Sequence, residues 1–432
     1  MRLSASLCSL VVVAACNDAV VLTVAGDRPV PAALDAFCLG VAGGNGQFGR
    51  AYPLASLPQT LRVEPGSASS AHAWVRGDRG GVPAAQAAAA LDFSGDVTLA
   101  LDRCVTGPAA APHVVGTAGP GSAHLVASQG AGGALVVAIT DTEAAILDAK
   151  GGALITADAP APPGGKIVAA IAVDIDGDCD DDLVIATTTS APTIWRRDGA
   201  IFVDAGTIGS APVAAIAAAD VDGDGAMDLV MGAGKALAVW RNDGSGTFVP
   251  MPGAITAPAS LTSLAALATG DLDGDGHPDL VAGQHGGPLA AWLGTGGAFA
   301  QAPAIVPPVM LDVARLALVD ADGDFDPDLA VAVAGAPLRL YIDREGLLED
   351  QSFVRLMPAP PVTTAFAFGG WDDGCEPDLV AGGATWHGQP TGAFAREGDA
   401  PAATDVVLVD LDDDGDLDAI YATSEGALWL AR

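Results

Sequence analysis

The stretch Asp220-Val221-Asp222-Gly223-Asp224-Gly225-Ala226-Met227-Asp228 places carboxylates at positions 1, 3, 5 and 9 of one tight turn. Like charges that close repel strongly, and a hard cation removes the conflict. Oxygen-only ligands, with glycines that let the backbone turn back on itself, suit calcium. A single acidic turn of this kind is commonplace, but here it recurs. Complete copies are Asp174, Asp176, Asp178 and Asp182; Asp220, Asp222, Asp224 and Asp228; Asp271, Asp273, Asp275 and Asp279; Asp320, Asp322, Asp324 and Asp328; and Asp410, Asp412, Asp414 and Asp418. About five calcium sites are therefore expected, using twenty of the 53 acidic residues. A sixth copy keeps Asp372 and Asp378 but has Gly370 and Gly374 at positions 1 and 5, so it should hold a cation weakly or not at all.

The elements that position these loops repeat with them. An apolar run precedes each loop, and another follows it, as in Leu229-Val230-Met231. A third run ends near an aromatic: Trp195, Trp240, Trp292, Tyr341, Trp386 or Trp429. A turn such as Asn242-Asp243-Gly244 then leads to a short fourth strand, carrying Phe202, Phe248, Phe299 or Phe394 in four of the units. The fixed place of the aromatics favours packing between neighbouring sheets over carbohydrate stacking. A seventh unit lies upstream, with strands at 123–128, 135–140, 144–147 and 153–155 and the carboxylate-free turn Gln129-Gly130-Ala131-Gly132-Gly133 in place of the acidic loop. Leu229 to Trp240 and Leu135 to Ile146 are both eleven residues apart, which supports that alignment.

Seven four-stranded units fit a closed β-propeller. The last unit stops on its third strand, Leu428-Trp429-Leu430, and His113 to Thr117 is the expected outer strand that closes the ring. The run from Ala218 to Ala233, with that from Ala268 to Gly283, resembles the FG-GAP and VCBS repeats of the integrin α-subunit propeller and of many secreted bacterial proteins. The resemblance spans about residues 110 to 432. It implies a seven-bladed propeller with calcium in loops between first and second strands, away from the ligand face. Cys179 and Cys375 share the sixth loop position of the second and sixth units, and whether they pair depends on how far from the ring axis the loops lie.

Gly (55) and Pro (30) are plentiful and half the residues are apolar, as in an all-β chain of short strands and turns. A net charge of −34 argues against a basic field for nucleic acid or anionic lipid, even with five divalent cations bound. The six histidines are scattered without zinc spacing. Met1-Arg2 and the apolar run Leu3 to Ala15 read as a signal peptide over residues 1–15. Val13-Ala14-Ala15-Cys16 resembles a bacterial lipobox, which makes Cys16 the expected lipidation site. Residues 16–108 read as a small β-sandwich stapled by Cys38 and Cys104, ahead of the propeller at 109–432. Arg76-Gly77-Asp78, which matches an adhesion tripeptide, reads more simply as part of a polar hairpin tip.

The expected function is that of a non-enzymatic, calcium-binding, membrane-anchored extracytoplasmic protein that holds a protein or glycan ligand, lipid-anchored to a bacterial envelope and free of nucleic acid. The alternative is a calcium-stabilised hydrolase or lyase acting on polysaccharide or phosphoester. Its candidate residues outside the loops are Asp343, Arg344 and Glu345, with Arg196 and Arg197, and turn chemistry accounts for both groups.

Overall fold

The structure is a computed structural model. It describes residues 113–117, 122–130, 133–148, 154–155, 159–322, 326–344, 346–369, 377–389, 391–411 and 417–431, together with the strands of residues 1–112. Seven sheets form the propeller. Blade 1 holds His124–Ser128, Leu135–Ile139, Ala144–Asp148 and Leu154–Ile155; blade 2 holds Ile167–Val173, Asp182–Thr187, Thr193–Asp198 and Ile201–Thr207. Blade 3 is Ala215–Ala219, Asp228–Ala233, Ala236–Asn242 and Phe248–Pro250; blade 4 is Leu264–Gly270, Asp279–Gln284, Ala290–Gly294 and Phe299–Gln301. Blade 5 comprises Val313–Val319, Asp328–Val333, Arg339–Asp343 and Leu348–Asp350; blade 6 comprises Phe366–Gly369, Asp378–Ala381, Ala384–Gly388 and Phe394–Asp399. Blade 7 is Asp405–Val409, Asp418–Ala422 and Ala427–Ala431, completed by His113–Thr117 on its outer edge. Trp429 faces Val114 across that last pairing, which is the closure expected from the sequence.

Each second strand is buried along its core-facing run, as in Leu183, Val184, Ile185 and Ala186, because its two faces meet two different neighbouring blades. That is why these strands read as continuous apolar runs and not as alternating ones. Apolar clusters fill the spaces between blades 1 and 2, 2 and 3, 3 and 4, 4 and 5, 5 and 6, 6 and 7, and 7 and 1. The ring is therefore defined by packing around its whole circumference. Trp195, Trp292, Trp386 and Tyr341 are fully buried in these layers, while Trp240 and Trp429 pack at their margins. The outer strands are exposed edges, as in Ile201–Thr207.

Two features break the repeat. Gly287–Pro288 pairs with Met310–Leu311, and after blade 5 a short helix, Ser352–Arg355, leads to Leu356–Met357, which runs parallel to Phe394–Ala395 on the outside of blade 6. In residues 1–112 the strands include Val20–Ala25, Ala36–Gly43, Gln59–Glu64, Ala71–Arg79 and Val97–Ala100. Arg76, Gly77 and Asp78 lie at the end of Ala71–Arg79, paired with Cys38, Phe37 and Ala36, and run into the hairpin turn to Val82–Leu91, where Arg79 pairs with Val82. Cys16, Cys104 and Cys375, and the side chain of Cys38, lie outside the described residues.

Candidate metal centres

The acidic loops all join a first strand to a second strand, so they lie on one face of the ring. In blade 3 the first carboxylate organises the turn. Asp220 Oδ1 accepts from the N–H groups of Gly223 and Asp224, at 2.9 and 3.1 Å, and Oδ2 accepts from Gly225 at 2.9 Å. Asp174 does the same for Gly177, Asp178 and Cys179. The fourth and sixth positions carry positive φ, at 74° for Gly223 and 88° for Gly225, a conformation that glycine adopts without a Cβ penalty. Cys179 takes the sixth position in blade 2 with φ 68°.

The ninth carboxylate has a different task. Asp228 is fully buried, with Oδ2 accepting from Val221 N at 3.1 Å and Oδ1 from Asn242 N at 2.8 Å. Asp182, Asp279 and Asp328 repeat this tie between loop and third strand. Among the described residues, Asp378 of blade 6 makes the third-strand contact, accepting from Gly388 N at 2.6 Å, and Asp418 of blade 7 makes the loop contact, accepting from Leu411 N at 3.0 Å.

Oxygens of Asp220, Asp222 and Asp228 lie within 4.8 Å of one another, as do those of Asp271, Asp273 and Asp279, of Asp320, Asp322 and Asp328, and of Asp174, Asp176 and Asp178. The structure thus gathers positions 1, 3 and 9 in blades 3, 4 and 5, and positions 1, 3 and 5 in blade 2. Asp224 and Asp275 stand outside these triples, with Oδ1 accepting from Ala226 N and His277 N in local turns. Asp324, Asp412 and Asp414 lie outside the described residues, so blade 7 shows only Asp410 and Asp418.

Two observations fit a cation here. The third-position carboxylates of Asp176, Asp222 and Asp322 each keep Oδ1 buried with no hydrogen-bond partner. Burial also pushes several of these carboxyls up from the usual range: Asp182 to about 8, Asp174 and Asp279 to about 7, and Asp178 and Asp228 to about 6. Asp220 and Asp273 move in the same direction for the same first cause. A dication among such groups restores the charged form and supplies the orphaned oxygens with a partner. Asp174, Asp176 and Asp178, and the first, third and ninth carboxylates of blades 3 to 5, are the residues that would hold it. Its contribution there is to tie the turn together.

The residues weighed for catalysis are occupied in the same scaffold. Asp343 N donates to Asp328, and Asp343 Oδ1 accepts from Gly346 N. Arg344 reaches Asp322, and Arg196 reaches Asp176. Arg197 is buried and enters the carboxylate-free turn of blade 1, donating from Nη1 to Ser128 O and Oγ, both at 2.8 Å, from Nη2 to Gly133 O at 2.5 Å, and from Nε to Gly199 O at 2.7 Å. Glu345 lies outside the described residues.

Residues 174–231, 220–282 and 271–331 match the model of the FG-GAP-like repeat. The chain is a β-propeller with FG-GAP-like repeats. Matches to solved structures include BBS1N in complex with ARL6DN, from a crystal soaked with lead, at 14% identity and TM-score 0.49 over 76% of this chain and 96% of that one. They also include an Agrocybe aegerita lectin specific for non-reducing terminal N-acetylglucosamine, at 14% identity and TM-score 0.47 over 94% of this chain and 97% of that one. No curated protein matches the chain.

Sequence reasoning missed Arg355, which reaches Asp322 from the helix between blades 5 and 6, because that helix belongs to no repeat. It also missed a charged cluster on the other face. There Arg315 of blade 5 donates to Asp405 of blade 7 at 2.9 Å and lies over the Phe366 ring of blade 6, 5.2 Å from its centroid. The second oxygen of Asp405 accepts from Leu125 N of blade 1 at 3.0 Å. Beside it His124 is lowered from its ordinary value, first by burial, with Asp405, Asp141, Arg315 and Lys166 all acting on its charge.

Proposed function

We propose that this is a non-enzymatic, cation-stabilised binding protein, exported and lipid-anchored through Cys16 at a bacterial cell envelope. It holds an extracellular protein or glycan on the propeller face opposite the acidic loops. The observation that supports this reading is the convergence on His124. Its electrostatic partners come from the beginnings of first strands or the turns beside them in blades 1, 2, 5 and 7, far apart in sequence but grouped at one mouth of the ring. Convergent polar groups of both signs, fixed by several elements at one mouth of the ring, are what a specific ligand site requires. The first and ninth carboxylates of the acidic loops, by contrast, are spent on their own turn and third strand.

The test is a glycan-array and cell-surface binding screen with the mature chain, followed by Arg315→Ala and His124→Gln in the captured interaction. The expected result is a loss of at least tenfold in affinity for either variant. Asp222→Ala, on the loop face, should retain binding below its melting temperature. A ligand whose binding ignores both axial variants would overturn the site. Turnover of a bound polysaccharide or phosphoester would decide for the hydrolase or lyase alternative.

A further inference from the structure

The acidic triples are alike in spacing but not in their surroundings. In blade 4 the residue after the third-strand aromatic is Leu293, and among the described residues no arginine pairs with Asp271, Asp273 or Asp279. In blade 2 Arg196 Nε lies 3.3 Å from Asp176 Oδ2, and in blade 3 Arg241 Nη1 lies 3.7 Å from Asp222 Oδ2. Both guanidinium groups are substantially exposed, at 39% and 43%. Blade 5 carries two: Arg355 Nη2 at 3.0 Å and Arg344 Nη2 at 3.2 Å, both on Asp322 Oδ2.

Arg355 differs from the rest in being fixed. Its side chain is 8% exposed and that of Asp322 is 7%. Nε donates to Gln351 Oε1 at 3.0 Å, and Nη1 donates to the carbonyl of Thr391 in blade 6. Gly392, at φ 70°, sits so close that a Cβ there would lie 2.2 Å from Asp322 Cβ and would collide with the guanidinium. The charge is therefore held against the carboxylate, in a site where solvent screens it poorly. Asp322 Oδ1 remains buried and without a hydrogen-bond partner, so the oxygen that would meet a cation is still present.

We propose that arginines rank the acidic loops as cation sites, with blade 4 filling first, blades 2 and 3 next and blade 5 last, and that Arg355 is the residue that sets blade 5 apart. At positions 1, 3, 5 and 9 each of these loops brings four carboxylates, while the additional Asp180 and Asp181 of blade 2 accept from Gly199 N and Gln129 N, and Asp326 of blade 5 stands outside those positions. Set against none, one, one and two arginines, these four candidate ligand positions carry a net −4 in blade 4, −3 in blades 2 and 3, and −2 in blade 5. Ligand charge count is a main determinant of calcium affinity at oxygen sites. In blade 5 the guanidinium pair already neutralises part of the turn, so this loop needs a higher calcium concentration to fill.

The inference rests on the loops binding calcium, and the experiment separates the two. Calcium is titrated into the chelated mature chain while hydrogen exchange is followed by mass spectrometry in peptides covering residues 174–182, 220–228, 271–279 and 320–328. The expected midpoint for 271–279 lies at least tenfold below that for 320–328. Arg355→Gln should lower the 320–328 midpoint at least tenfold and leave 271–279 unchanged, while Arg355→Lys keeps the charge and the wild-type order. Should Arg355→Gln fail to fold, Arg344→Gln removes the more exposed partner and should lower the 320–328 midpoint about threefold. Coincident midpoints, or a 320–328 midpoint that ignores the folded variant, overturn the ranking. No response of any loop to millimolar calcium overturns the cation reading beneath it.

Discussion

Replacing Asp222 should have an effect that depends on calcium and replacing Asp378 one that does not, although both are aspartates of the repeated loop. Asp378 belongs to blade 6, whose loop has glycines at positions 1 and 5, yet its Oδ1 accepts from the buried Gly388 N at 2.6 Å and lies 3.2 Å from His387 Nδ1. Asp378→Ala leaves that N–H unsatisfied, at a cost of about 1–3 kcal/mol. Loss of the half-exposed imidazole contact adds at most about 1 kcal/mol. At about 2 °C per kcal/mol for a chain of this size, the melting temperature should fall by about 2–8 °C. The fall should be the same in chelator and in calcium. Asp222 Oδ1 has no hydrogen-bond partner, and its Oδ2 has an exposed arginine 3.7 Å away. Asp222→Ala should therefore cost under about 1 kcal/mol in chelator. In calcium at a hundred times the dissociation constant it should forfeit about 2.7 kcal/mol, or about 5 °C. Calorimetry of both variants in each condition reads the contrast. Equal losses from the two in chelator, or a loss from Asp378→Ala that appears only with calcium, would refute the division of labour between the third and ninth carboxylates.

The raised carboxyls set a pH dependence. Asp182 at about 8, Asp174 and Asp279 at about 7 and Asp228 at about 6 all bind protons more tightly folded than unfolded. In chelator, stability should thus fall as pH rises from about 4 to about 8, and calcium should abolish that fall. A chelated melting temperature that is flat or rising between pH 5.5 and 8 excludes it. The closing strand gives a second test, because Val115 packs on the core between blades 7 and 1 while Val114 is 52% exposed. Val115→Asp should lower unfolding free energy in urea by about 2–3 kcal/mol, against little change for Val114→Asp. Equal, small effects would mean that the strand does not close the ring in solution.

How much of this was legible in the sequence depended on whether a feature repeats. The loops were readable because four carboxylates, at least one glycine between them and the following strand recur together, and the closure because the last unit lacks one strand and His113–Thr117 supplies it. The spacing could not separate the roles of those carboxylates. Asp220 and Asp228 look equivalent in sequence, yet one caps its own turn and the other ties the loop to a third strand fourteen residues on, at Asn242. That distinction needs the fold, and it explains blade 6: a loop that loses its first and fifth carboxylates keeps Asp378, which the third strand uses whether or not metal binds. Blade 1 shows the complementary solution. Its turn has no carboxylate, and Arg197 of blade 2 places a buried cation there, tied to Ser128 and Gly133. The structural role of Arg197, and Arg355 altogether, were opaque to sequence reasoning because each serves a loop outside its own repeat position and neither recurs there. Since seven inter-blade cores encircle the ring, including the two at blade 1, each loop needs only some means of joining its ends. A carboxylate tie, a guanidinium and a calcium ion are interchangeable for that purpose. Loss of metal should therefore loosen individual turns on one face before it opens the propeller.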